Sequence, residues 1–550
     1  MWPDAQLGSS ESKSVDALTY GLSTLCIGSA FARSVDPHHP SKLVDNHAEY
    51  TRRFSLGNGS SEWAAELAVH KESGRMLGTL VAIAVARMKN LESFYWDMPT
   101  GVLARVFQAL ATLAHQPDDK CKLSRVWVRW HDNHMRPVES GVLDPMDIIN
   151  GPLLVPQGSQ LTPVGIMLPS TAVHPPPRAP VPYSRYHCEY PTFSVLPPLK
   201  SLNVLDIDEI GYLDEMAVVI ERSKDTLQEL RVGISVKAAT QAFAQAWDGA
   251  GLQQIDHQAR WPGESSIGER RLGGVLGVLV GKIYDIRKRR AQEDSGNDVP
   301  LAAHTQVNGA APSTLGGAGP TSQQTMSAKT QGLSTAPKSN KLNIHGRPRL
   351  EGKLKLRTLG LERVVLSLQV CRFAIDWSVL TSLTLLDCAQ HDRFWKMLYK
   401  QFVPTPADGI GLSSGKPSSS PPLQYHLALK TIHTDLVTTY LMEFLKETLA
   451  PNSLEALFLQ DRRRNIALPL DTIFKFALKP HSGSLRKLLL DSAAKTTSDT
   501  IRWRQWALST DVLLYVTSGR MKRLTELAVS LQHKDWVRTT SSSPPPRTLD

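Results

Sequence analysis

The chain has 550 residues, with 62 Lys and Arg against 52 Asp and Glu for a net charge of +10, and 41% of its residues are hydrophobic. Such a composition excludes a wholly unfolded chain, and no apolar run approaches the roughly 20 residues that a membrane helix needs. The charge is uneven: residues 341–550 carry +12 and residues 1–340 carry −2, an excess of the kind that favours acidic partners, although its basic residues are interleaved with Leu, Asp and Glu.

In chain order, one pattern recurs about ten times: an aliphatic residue, two others, an aliphatic, one other, an aliphatic. It is carried by Leu22, Leu25 and Ile27, by an aromatic version at Leu91, Phe94 and Trp96, and by Leu123, Val126 and Val128. Then come Leu202, Leu205 and Ile207, Leu227, Leu230 and Val232, and a weaker copy at Leu356, Leu359 and Leu361. The last third has Leu380, Leu383 and Leu385, the pair Leu427 and Leu429, then Leu454, Leu457 and Leu459, Leu485, Leu488 and Leu490, and Leu524, Leu527 and Val529. Each copy predicts a short strand whose alternate residues point into one interior, entered by a turn whose own Leu points the same way. Leu380, Leu383, Leu385 and Cys388 extend the pattern to a Cys whose side chain is expected to bond backbone in the turn.

A lone strand of this kind buries little, so the stretches between copies must supply a second wall. Apolar periodicity predicts helices over 102–115, 213–222, 392–401, 435–448 and 510–517, the clearest stripe being Leu436, Tyr440, Leu441, Phe444 and Leu445. The fold class expected is α/β, an irregular leucine-rich-repeat-like solenoid of short parallel strands alternating with helices, with long disordered insertions. Its first part runs over 18–290 with a proline-rich insertion at 152–198, and its second over 347–537 with a loop insertion at 404–422. Residues 1–17, 291–346 and 538–550 are predicted disordered.

With this pattern the chain resembles the fungal F-box/leucine-rich-repeat proteins over most of 18–535, most clearly in LKSLNVLDIDEIGYLDEMAVVIERSKDTLQELRV at 199–232, in LTSLTLLDCAQHDRFWKMLYKQF at 380–402 and in LRKLLLD at 485–491. In that family a three-helix F-box binds the Skp-type adaptor of a cullin-RING ubiquitin ligase, and the repeats hold a substrate protein. The resemblance therefore implies a non-enzymatic adaptor whose partners are a Skp-type protein and a substrate, with no cofactor. No F-box is legible in the polar residues 1–20, and its nearest look-alike, Leu468 to Phe474, reads as a repeat helix with Pro469 near its start.

Catalytic and metal signals are weak. Residues 411–415 match G-x-S-x-G but sit among prolines, and GVLVGK at 277–282 lacks the Ser or Thr of a phosphate loop. His131, His134, His187 and Cys188 lack a fourth ligand at zinc-like spacing, and Asp206, Asp208 and Glu209 lack the closing Glu of a calcium loop, which leaves them at a strand end. Two basic runs remain: Arg287, Lys288, Arg289 and Arg290 as a nuclear-import run, and Arg462, Arg463 and Arg464 as a partner-binding rim after a strand. Five unpaired-looking cysteines and no secretory leader predict cytoplasm or nucleus. The reading expected is a protein-protein interaction scaffold; the alternatives are nucleic-acid or acidic-surface binding through 341–550, or an enzyme whose site is built from scattered residues.

Overall fold

A computed structural model describes residues 19–23, 25, 47–57, 71–98, 102–114, 121–129, 191–249, 251–287, 350–406, 423–461, 468–492 and 506–530. Contacts divide the chain into one compact unit of residues 1–284 and 351–550 and a second of 285–350, of which only 285–287 and 350 are described. The first unit is α/β. Its eleven-stranded sheet takes the strands in chain order: β1 (Arg53–Gly57), β2 (Ser93–Asp97), β3 (Arg125–Arg129), β4 (Ser201–Ile207), β5 (Glu229–Ile234), β6 (Thr358–Glu362), β7 (Ser382–Leu386), β8 (Thr431–Thr434), β9 (Ala456–Gln460), β10 (Lys487–Asp491) and β11 (Glu526–Val529). Every neighbouring pair is parallel. The pairing of β5 with β6 joins the two predicted parts into one sheet across 291–346.

A single hydrogen-bond device repeats at every junction. The carbonyl of the residue preceding each strand accepts two successive N–H groups from the next repeat: Arg52 O from Glu92 and Ser93, Lys200 O from Gln228 and Glu229, Gln228 O from Arg357 and Thr358, and so on to Arg486 O from Thr525 and Glu526. Each strand is thereby started by its predecessor, which sets the register of the whole ladder.

That register lines the recurring apolar positions into continuous interior rows. Phe54, Phe94, Val126, Leu202, Leu230, Leu359, Leu383, Ile432, Leu457, Leu488 and Leu527 form one row, and Leu56, Trp96, Val128, Val204, Val232, Leu361, Leu385, Thr434, Leu459, Leu490 and Val529 the next. All but those of β11 are buried, each large side chain contributing roughly 2 kcal/mol of apolar burial.

Four sequence expectations are corrected here. Leu22 lies in a helical turn (19–23 and 25 are helical), not in a strand. The copy at β4 is Leu199, Leu202 and Val204: a bulge after Val204 returns Ile207 to the interior and leaves Leu205 half-exposed over Gly233. The pair at 427 and 429 is the start of Leu429, Ile432 and Thr434, whose buried Thr434 hydroxyl accepts from the Leu436 N–H at 3.3 Å. The proline-rich insertion is also shorter than predicted where it is described, since 191–198 is folded and seats Phe193 in the core, 4.9 Å from Phe107.

Helices cover the interior side: α1 (Lys71–Val85), α2 (Ala104–Ala114), α3 (Ile210–Arg222), α4 (Gly274–Val280), α5 (Leu368–Phe373), α6 (His391–Gln401), α7 (Thr439–Glu443), α8 (Leu470–Ile473) and α9 (Thr510–Thr517). The Thr438 hydroxyl caps α7 by accepting from Leu441 N–H, and both α7 and α8 run on through a wider turn, Phe444–Thr448 and Phe474–Leu478. Rings run from Trp377, before β7, through α6 to the wider turn after α7, Trp377 to Phe394 at 5.4 Å, Phe394 to Trp395 at 5.1 Å and Trp395 to Phe444 at 5.1 Å. The Cys388 thiol donates to the carbonyls of Leu361 and Leu386, both at 3.4 Å, the backbone bond expected from the motif, and burial pushes its pKa up to about 12. Among the described residues no helix is long and apolar enough to cross a membrane.

Candidate functional site

Because side chains alternate along a strand, burying two rows fixes a third between them on the opposite face. In register across the sheet this outward row reads Ser55, Tyr95, Trp127, Asn203, Arg231, Gly360, Thr384, His433, Phe458, Leu489 and Ala528. Two aromatic patches stand on it. At one end Tyr95 and Trp127 lie 6.4 Å apart with the Arg53 guanidinium 4.5 Å above the Tyr95 ring; further along, His433 meets the Phe458 ring edge-on at 5.7 Å. Between them the row is small or polar, and Gly360 leaves room for the Arg231 side chain, which a Cβ there would meet at 2.8 Å.

Charges on this face are paired. Arg231 lies 3.4 Å from Glu229 two residues earlier on β5, Lys487 lies 2.8 Å from Glu526 on the neighbouring strand, and at the turn edge Lys430 lies 2.9 Å from Glu455. At the strand ends the buried Asp206, in the left-handed region with φ of 62°, accepts from Arg129 Nε at 2.9 Å and from Arg363 at 2.7 Å. Arg363 also donates to Glu362 at 2.6 Å and to the Ile234 carbonyl. Although burial works against the charge, the hydrogen bond and attraction of Asp206 raise the Arg129 pKa above its usual value. These residues clasp β3 to β6. Asp206 therefore sits at a strand end as its sequence context predicts, and its two oxygens serve cationic side chains of this chain.

A second feature lies beside the helices. A cleft of about 270 Å³ opens between α3 and the segment 255–265, lined among others by Arg222, Asp256, Arg260, Trp261, Ser265 and Lys282. Asp256 shapes its wall: Oδ1 accepts from the N–H groups of Gln258 at 2.9 Å and Ala259 at 3.3 Å, and Oδ2 from Ser266 N–H at 3.0 Å; burial works to raise the carboxyl pKa, and these bonds together outweigh it and hold the pKa below its usual value. In the floor, Asp214 forms a buried ion pair with Arg271 at 3.0 Å, and Arg271 also donates to the carbonyls of Gly268 and Gln254. Burial raises the Asp214 carboxyl to about 6 against the opposing pull of Arg271.

Of the residues singled out from sequence, Arg287 is described and half-buried, while Lys288, Arg289, Arg290, Arg462, Arg463 and Arg464 lie outside the described residues. So do 411–415, His131, His134, His187 and Cys188. GVLVGK falls on the buried α4 and the turn that ends it, which leaves no loop to cradle a phosphate. The aromatic patches were readable as the residues between the two interior positions of each strand; for the cleft the only linear signal is the Trp-Pro-Gly run at 261–263. No family model, curated protein or solved structure matches this chain.

Proposed function

We propose that the chain is a non-enzymatic scaffold of leucine-rich-repeat type whose outward sheet face holds a partner protein. The observation that carries this reading is the row from Ser55 to Ala528, where a rigid ladder displays Tyr95, Trp127, His433 and Phe458 among paired charges. Aromatic side chains with a neighbouring Arg are the residue types that dominate protein interfaces, and the strands already hold them in place. The interleaving of Lys430, Lys487 and Arg231 with acids favours a protein over a nucleic-acid backbone, which needs an uninterrupted cationic track. On the resemblance to F-box/leucine-rich-repeat proteins, the partners are a Skp-type adaptor and a substrate.

Affinity purification of the tagged chain from its native cells, beside a Trp127→Ala/Phe458→Ala double variant, tests the reading. Partners recovered with the native chain and lost with the variant are expected, and a Skp-type adaptor with a cullin among the proteins recovered would assign the ligase role. An identical set of partners at equal yield with both chains overturns the use of this face.

A further inference from the structure

The cleft beside α3 has features that the packing of the repeat does not require. Trp261 is 44% exposed, yet its ring packs closely on Gly263, where a Cβ would come within 1.6 Å of it. Three cations, Arg222, Arg260 and Lys282, line the same space. Arg222 gives one N–H to the Leu196 carbonyl, and Lys282 stands 3.6 Å from Glu221 on an exposed shoulder, a contact worth little in solvent. Both lining carboxylates are already committed, Asp256 to the N–H groups of its own loop and Asp214 to Arg271. Ser265 also lines the cleft; the residue is 4% exposed, and its hydroxyl oxygen is buried beside the cleft with no hydrogen-bond partner. A buried hydroxyl left unsatisfied is costly, and rotation of this side chain toward a ligand oxygen in the cleft would relieve that cost.

We propose that this cleft binds a planar ring carrying a phosphate group, the ring lying on Trp261 and the phosphate meeting Arg260, Arg222, Lys282 and the Ser265 hydroxyl. Stacking on an indole is sequence-tolerant and strong, and the wall is preformed by the Asp256 hydrogen bonds, so little ordering is left for binding to do. A carboxylate offers two oxygens and one charge; three cations and a hydroxyl donor suit a dianion with three oxygens better. The site is independent of the outward sheet face, so either can fail without the other. The same chemistry is found in a free mononucleotide and in a phosphotyrosine side chain of a partner.

Isothermal titration of the full chain with phenyl phosphate is the test, with inorganic phosphate and phenol as controls. Saturable binding at least about tenfold tighter than either control is expected. Arg260→Ala and Trp261→Ala, both at exposed positions, should each weaken it about tenfold, and Ser265→Ala about threefold, with unchanged circular dichroism. AMP and a phosphotyrosine peptide then name the source by which of the two binds tighter. No saturable binding of phenyl phosphate, affinity equal to that of inorganic phosphate, or affinity untouched by Arg260→Ala and Trp261→Ala would overturn the proposal.

Discussion

The stretch from β3 to β6 and the stretch from β7 to β11 are built on the same ladder but held together differently. From β7 onward the buried polar residues are Ser, Thr and His with Asp461 as the one buried carboxylate among the described residues, and consecutive strands follow one another through short helices such as α7 and α8. Between β3 and β6 two long stretches of sequence, 130–200 and 235–357, separate consecutive strands, and around their described parts the protein buries charge: Asp206 with Arg129 and Arg363, Asp214 with Arg271, and Glu215 accepting from the N–H groups of Thr192 and Ser194, both at 2.9 Å. A regular repeat needs only its neighbour's apolar face. An excursion offers no repeated face, and directional bonds fix it to the ladder instead.

The sharpest way to break this contrast is to remove Arg271. Arg271→Ala leaves Asp214 buried without its partner and should cost about 3–5 kcal/mol in urea denaturation, whereas Arg271→Met with Asp214→Leu should recover most of that. A loss below about 1 kcal/mol for the single variant would mean that the pair does not hold the excursion. On the plain side of the comparison, Leu457→Ala in β9 should cost about 3 kcal/mol, because Leu457 is fully buried. Leu527→Ala occupies the same row in β11, where the side chain is 42% exposed, and should cost under about 1 kcal/mol.

How much of this was legible in the sequence follows from the same division. Where a strand carries three aliphatic residues in frame, as at Leu380, Leu383 and Leu385, pattern and structure coincide, down to the Cys388 backbone bond. The strand Arg53–Gly57 escapes notice because Thr51 stands where the pattern wants its first aliphatic, and its Gly57, at φ of 97°, ends where a Cβ would strike the Asp97 carbonyl. At β4 the run LKSLNVLDI fits two frames, and only the pairing of Leu202 with Val126 and Leu230 chooses between them. Leu22 fits the pattern yet is helical, since local spacing carries no information about a neighbouring strand. The cleft was not legible, because α3, the loop at Asp256 and Lys282 meet only after the chain has left the ladder and returned.

Smaller perturbations sharpen the same comparison. Asp206→Ala should cost about 2 kcal/mol, since it strips two cationic donors of their acceptor and places a residue with no polar side chain at positive φ. Asp206→Asn, which tolerates that conformation, should cost roughly half as much. In the C-terminal stretch, His481 is the test by pH. It is fully buried, its ring is 3.0 Å from the Leu445 carbonyl through Nε2, and burial holds its pKa below the usual histidine value of 6.5. The native state thus binds the proton less readily than the unfolded chain, so stability should fall as pH drops below 6.5. His481→Gln should flatten that slope; an unchanged slope would assign it to another group.

The smallest effect on stability is expected on the outward row, and its smallness is informative. Phe458 stands on that face between two cross-strand neighbours, His433 at 5.7 Å and Leu489, away from the buried rows, so Phe458→Ala should shift the stability by less than about 1 kcal/mol. Leu457, one residue earlier, costs several times more on truncation because its side chain is on the other face of the same strand. A large aromatic side chain that contributes so little to the fold that carries it marks a position where stability places few demands. A loss from Phe458→Ala as large as that from Leu457→Ala would show that the outward face is structural, and would remove the basis for a partner there.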